Sequence, residues 1–206
     1  MSFANSEGET LYPTGDDDSF NVTLGFDLFY FTEFYSIVSL NINGYLAFGT
    51  VGMQSEGYWP ITAPSPSNVI SGYNVDLLTE RCGSLTTRSV SDQTILNTIG
   101  AEINSLAVPS PTFQPTNAFV ATWNQVCAYD QYTNGTVSFQ IVISTDGDRT
   151  FLTLNYDLIE FSSDGVFYQF INYANSLVSI TLPSSPESSS NVNVNGKWIY
   201  FFSNGN

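Results

Sequence analysis

The chain has 206 residues, of which 42% are hydrophobic, 15% aromatic and only 11% charged, so it is a packed globular chain rather than a disordered one. Four basic residues, Arg81, Arg88, Arg149 and Lys197, face nineteen acidic ones, giving a formal charge of −15. That balance excludes a nucleic-acid footprint, disfavours an anionic membrane surface, and would attract a cation or a basic partner. There is no histidine, which excludes Ser-His-Asp and Cys-His catalysis and imidazole zinc sites.

With so little charge, the surface must be covered by Ser, Thr, Asn, Gln and Tyr, a composition common in secreted proteins. No stretch approaches the ~18 continuous apolar residues of a membrane span. The start, MSFANSEGET, lacks the basic and apolar regions of a signal peptide, so secretion implies a leader already removed.

Residues 1–19 read as polar and irregular. The run Asp16-Asp17-Asp18 after Gly15 is either a solvated turn or part of a calcium site, since calcium collects carboxylate and carbonyl oxygens from several segments. Asn21-Val22-Thr23 matches the N-glycosylation acceptor, as does Asn134-Gly135-Thr136 farther along.

Residues 20–50 are β-forming, and the rest of the chain is organised around Phe26 to Thr50. Their second half is a hairpin turning at Asn43-Gly44. A two-residue loop would mix polar and apolar residues on one face. A three-residue loop, Ile42-Asn43-Gly44, sets Leu40 opposite Leu46 and Val38 opposite Phe48, and places Gly44 in the left-handed conformation.

Residues 51–72, with Pro60, Pro64 and Pro66, read as a loop anchored by Tyr58 and Trp59. Asn74-Val75-Asp76 leads into Leu77-Leu78 and Cys82-Gly83, then a short strand from Leu85 to Val90. Asp92 caps a helix over about 92–107, with Ile95, Leu96, Ile99, Ile103 and Leu106 at helical spacing. Residues 117–127 read as a central strand. Strands over 136–144 and 150–156 alternate about an Asp146-Gly147 turn, and 157–161 extends the second of them. Another strand runs from Val166 to Asn172, residues 183–190 are a polar loop, and the last strand covers 197–202.

Cys82 and Cys127 are either two buried thiols or one disulfide, and the secreted-type surface favours the bridge. It would close a loop of about 45 residues and contribute about 3–4 kcal/mol.

The order is β-rich, one helix, then β-rich again, without βαβ alternation. This predicts a mainly β (α+β) chain: an antiparallel sandwich or curled sheet with one packed amphipathic helix. The pattern is continuous, so residues 1–206 form one domain with its core over about 11–202.

Several landmarks, in order, resemble the NIDO domain family, an extracellular module of nidogen, alpha-tectorin and mucin-type proteins. They are Leu11-Tyr12-Pro13, Asn43-Gly44-Tyr45-Leu46-Ala47-Phe48-Gly49, Thr122-Trp123, Phe139-Gln140 with Asp146-Gly147, Asn155-Tyr156, Ser190-Asn191-Val192 and Gly196-Lys197-Trp198-Ile199-Tyr200. The chain departs from the family at Asp27-Leu28-Phe29-Tyr30 and at Ile70 to Asp76, where prolines and a Phe-Trp pair are replaced.

The resemblance implies a non-catalytic module of adhesion or matrix assembly, secreted or part of an ectodomain, with extracellular proteins or glycoproteins as partners. It implies no cofactor and no catalytic residue. A second reading is a calcium- or carbohydrate-binding module using Asp16, Asp17, Asp18, Asp146 and Asp148. A third is a carboxylate-based glycosidase using Asp76 with Glu80, or Asp146 with Asp148. A surface this poor in charge also allows weak self-association through strand edges.

Overall fold

The computed structural model describes residues 8–30, 33–49, 68–107, 111–130, 134–161, 171–173, 176–178 and 185–203. Strands β1 (Thr10–Leu11), β7 (Ser84–Val90), β8 (Asn117–Ala128), β9 (Thr136–Thr145), β10 (Arg149–Ile159) and β13 (Lys197–Ser203) lie side by side in that order, with β6 (Leu77–Leu78) also paired to β8. A second sheet runs β12 (Ser176–Val178), β11 (Ile171–Tyr173), β5 (Asn68–Ser71), β4 (Tyr45–Phe48), β3 (Glu33–Asn41) and β2 (Ser19–Tyr30). All pairings are antiparallel. The fold is the β-sandwich with one helix that the pattern predicts.

Period-two alternation builds the interior. Phe119, Ala121 and Trp123 of β8, Phe139, Ile141 and Ile143 of β9, and Leu152, Leu154 and Tyr156 of β10 point inward. They meet Leu24, Leu28 and Tyr30 of β2, Val38 and Leu40 of β3, and Leu46 and Phe48 of β4. The opposite face of the first sheet is also apolar: Val90, Ala118, Val120, Val142, Phe151 and Ile199 receive Leu96, Ile99 and Ile103 of helix α1 (Gln93–Leu106). Because both of its faces are covered, central β8 is apolar on both sides along most of its length.

Asp92 starts the helix as expected, accepting hydrogen bonds from the amides of Thr94 and Ile95 at 2.9 and 3.1 Å. Gly100 sits mid-helix because a Cβ there would lie 2.8 Å from Pro115 Cδ. Asn104 then clamps the returning chain, exchanging two 2.8 Å hydrogen bonds with the backbone of Phe113.

The β3–β4 hairpin has Val38 opposite Phe48 and Leu40 opposite Leu46, joined through Ile42-Asn43-Gly44 with Gly44 at φ +88°. This is the register that the alternation predicts. Two segments differ from the sequence reading. Asn68–Ser71, inside the stretch read as a loop, is a strand because β4 and β11 pair with it on either side, and its four residues, free of proline, permit this. Thr10–Leu11, read as irregular, adds to β7. Tyr58, Trp59, Pro60, Pro64, Pro66 and residues 166–170 lie outside the described residues.

Gly44 needs both its left-handed φ and its missing side chain: a Cβ would lie 2.0 Å from the Tyr73 carbonyl oxygen. Gly147 has φ +99° but open space around it. Gly44→Ala should therefore cost about 3–5 kcal/mol, against about 1 kcal/mol for Gly147→Ala. Urea unfolding of the two variants checks this, and equal midpoints would show that the close approach carries no energy.

Candidate functional site at the anionic end of the sandwich

Sequence fixes this site through the hairpin tip. The indole of Trp123 donates to the Ile42 carbonyl at 2.9 Å inside the sandwich. The Gly44 carbonyl accepts the amides of Gly72 and Tyr73. Asn43 is fully buried, and its carboxamide works in two directions: Oδ1 accepts the Leu77 amide at 2.7 Å, and Nδ2 donates to Asp17 Oδ1 at 2.8 Å. One side chain thereby ties the 15–18 turn to the segment that carries Asp76.

The turn is held at both ends. Gly15 donates its amide to Thr79 Oγ1, and its carbonyl accepts from the Thr79 amide and hydroxyl, all within 3.1 Å. The Asp18 carbonyl accepts the Ile42 amide at 3.1 Å. Asn41 donates to the Asp17 carbonyl and to Ser19 Oγ. On the other side, the Asp76 carbonyl accepts the Tyr129 amide at 2.8 Å. The Cys82–Cys127 disulfide, with Cα atoms 5.6 Å apart, fixes the end of that segment to β8. Arg81 donates to the Ala128 carbonyl beside it.

The result is a group of three carboxylates. Asp16, Asp17 and Asp76 each present an oxygen within 4.8 Å of the others. Asp16 and Asp76 are half-buried and Asp17 is exposed. Burial, followed by the charges of Asp16 and Asp17, pushes the Asp76 carboxyl up to about 6. Burial first, then Asp17, Glu80 and Asp18, raises Asp16 as well. Asp16 Oδ1 is buried and has no hydrogen-bond partner among the described residues. Three hard oxygens at this spacing, under mutual repulsion, are ligands suited to a hard divalent cation.

The sequence grouping is corrected here. Asp18 is not part of the cluster. Asp146 and Asp148 do not join it either: they follow Thr145, which pairs with Asn117 at the start of β8, whereas Leu77 next to Asp76 pairs with Ala128 at the other end, and Asp146 is used by its own turn. Its Oδ1 accepts the amides of Asp148 and Arg149, and its Oδ2 pairs with the Arg149 guanidinium at 2.7 Å. Arg149 also lies over the Phe113 ring, 5.4 Å from its centre. Sequence spacing missed Asp76 as a partner of Asp16 and Asp17. No sequence spacing signals this grouping, which forms through the Asn43 contacts of the fold.

Of the two acceptor asparagines, Asn21 is exposed on β2 and Asn134 is exposed just before β9, while the Thr136 hydroxyl is engaged with Glu160. The free side of β13 is closed by a side chain. Asn191 Nδ2 donates to the Ile199 carbonyl at 2.8 Å, and the Ile199 amide donates to Asn191 Oδ1 at 2.9 Å. A carboxamide here stands in for the next strand, so strand-edge association through β13 is obstructed at its centre.

Asp76 sets a pH dependence. Its carboxyl lies at about 6 in the fold against an ordinary value of 3.8, so the folded state holds the proton more tightly than the unfolded one. Its contribution is most favourable below about pH 4, is lost as the pH rises through about 6, and is a penalty above that. Asp76→Asn should raise stability at pH 7 without added metal, and the gain should shrink toward pH 4. Denaturant midpoints across that range, with NMR titration of the Asp76 carboxyl, check it.

A family model described as a nidogen-like domain matches residues 35–204. Alpha-tectorin of Mus musculus is 28% identical over 223 residues, covering 94% of this chain and 10% of that protein. Nidogen-2 of Mus musculus is 24% identical over 163 residues, covering 75% of this chain and 12% of that protein. The chain therefore spans about a tenth of the length of these relatives. No solved structure gives a significant match. Asp16 and Asp17 precede the stretch that the family model matches, and Asp76 lies within it. With most of its length covered, and the hairpin tip, Trp123 and Asn191 all inside the match, the chain belongs to the nidogen-like (NIDO) domain family.

Proposed function

We propose that this chain is a non-catalytic extracellular module for adhesion or matrix assembly, presenting a rigid anionic surface to other secreted proteins or glycoproteins. The observation that carries this reading is the employment of the family landmarks as scaffold. Tyr12 bonds Thr87, Trp123 bonds the Ile42 carbonyl, Gln140 bonds Thr122, and Tyr156 bonds the Gly72 carbonyl. Lys197 joins Asn155 to Glu102 of the helix. Asp146 shapes its turn and Asn191 closes an edge. Residues spent this way supply no nucleophile or proton shuttle. What they leave for function is surface.

Charge at that surface is one-sided. Arg149 is paired with Asp146, and Lys197 with Glu102, while Asp16, Asp17 and Asp76 crowd together. A basic partner would be drawn to this end. The oxidised, secreted chain added to a cell-free extracellular matrix should be retained, and raising salt from ~0.15 to ~0.5 M should weaken retention several-fold. Retention no better than that of an unrelated acidic domain of equal size would overturn the reading.

The carboxylate group favours a second reading, a calcium site at Asp16, Asp17 and Asp76. With a dissociation constant of ~0.1–1 mM, typical of extracellular modules, ~10 mM calcium would add about 1.4–2.7 kcal/mol. The gain should be present at pH 7.5, fall at pH 5 where Asp76 is largely protonated, and vanish in Asp76→Asn. An unchanged midpoint at pH 7.5 removes the metal from this end.

A further inference from the structure

The second sheet ends on β2, and that edge is guarded along only part of its length. The pairing of β2 with β3 breaks between Thr23 and Leu28, a bulge that bends the edge. Beyond the bulge, the Phe29 carbonyl is capped by the Thr150 hydroxyl at 3.0 Å, and Tyr30 packs edge-on against Phe202. Before the bulge, Ser19 to Thr23 pairs regularly with Asn41 to Ile37. This stretch holds no charge, no proline and no glycine. Among the described residues, no side chain plugs it as Asn191 plugs β13. Such an edge is open to strand pairing.

Asn21 stands at its centre, and with Val22 and Thr23 it forms a complete acceptor tripeptide. Asn21 and Thr23 are both exposed, and neither side chain makes a hydrogen bond among the described residues. Thr136 of the other acceptor is bound to Glu160 instead.

We propose that Asn21 carries an N-linked glycan, and that the glycan closes the Ser19–Thr23 edge against pairing with a second copy of this chain. The inference rests on the extracellular reading above, since the modification belongs to the secretory route. An oligosaccharide passes from a lipid-linked oligosaccharyl pyrophosphate to Asn21 Nδ2. A C1–N bond forms, the C1–O bond to the pyrophosphate breaks, the pyrophosphate leaves with the bonding pair, and one carboxamide proton passes to solvent. In the fold, the glycan then stands outward from the edge strand, where its bulk and hydration keep another strand away.

The test is secretion of the whole chain from a eukaryotic cell behind a leader, with peptide mapping before and after enzymatic glycan removal. Asn21 should be occupied in most secreted molecules, bare in Thr23→Ala and occupied again in Thr23→Ser. Light scattering should give the mass of one glycosylated chain for the wild type and concentration-dependent association for Asn21→Gln and Thr23→Ala. Asn21→Lys, which places a charge on the same edge, should restore the single-chain mass without a glycan. A secreted wild type with its disulfide formed but Asn21 bare overturns the site. Asn21→Gln and Thr23→Ala that both fold and stay single overturn the guarding role. Failure of the wild type to be secreted, or secretion with free thiols, overturns the extracellular reading and this inference with it.

Discussion

The structure depends on the seating of one hairpin tip. Ile42, Asn43 and Gly44 enter the end of the sandwich and meet polar groups from four other segments: the Trp123 indole, the amides at Gly72 and Tyr73, the Leu77 amide, and the Asp17 carboxylate. The buried groups among them, the Trp123 indole and the Leu77 amide, would each cost about 1–3 kcal/mol if this partner were lost. Apolar alternation chooses the register of the hairpin, and polar matching at its tip then makes a slipped register far worse. The tip also fixes where β5 ends and where the acidic turn and the segment leading to the disulfide sit.

Asparagine recurs wherever the chain needs an extra piece of backbone. Asn43 bridges two segments at the tip, Asn104 pairs with Phe113, and Asn191 pairs with Ile199. A carboxamide donates and accepts at once and carries no net charge, so it serves where a carboxylate or ammonium would pay heavily for desolvation. This accounts for a body with only 11% charged residues. It also leaves the charge on the surface unbalanced. The Arg149 and Lys197 side chains are taken up by local partners, and Arg81 is committed to a backbone carbonyl. Around Asp76, burial first and then the charges of Asp16 and Asp17 raise its pKa.

Much of this was legible because it is written in short-range pattern. Alternation gave the hairpin register and the β9 and β10 strands, and an apolar run on both faces gave β8. Asp92 and the Ile95–Leu106 spacing gave the helix to within a residue at each end. The Asp146-Gly147 turn was legible from its own chemistry. Segments defined by their neighbours were not. Asn68–Ser71 is a strand because β4 and β11 lie on either side of it, and the prolines upstream hid that. Asp76 joins Asp16 and Asp17 only through Asn43 and Thr79, contacts that no local spacing encodes. Asn191 was noted as a landmark, yet its pairing with the β13 backbone needs the turn between them to be in place.

The condition of the edges limits how such a module can recognise anything. Adding a partner strand requires a run of free backbone amides and carbonyls along one side of a sheet. At β13 that run is broken in its middle by Asn191. At β2 the far half is bulged and capped, and the near half carries an acceptor asparagine at its centre. At β1 only two residues are present. Backbone addition is thus obstructed at β13 and beyond the β2 bulge, and side chains are the alternative means of recognition there. The most distinctive side chains on offer are the carboxylates at the hairpin end, which the scaffold holds against their own repulsion. A partner that supplied positive charge there, whether an ion or a basic side chain, would relieve that repulsion. Its affinity would include energy already stored in the fold.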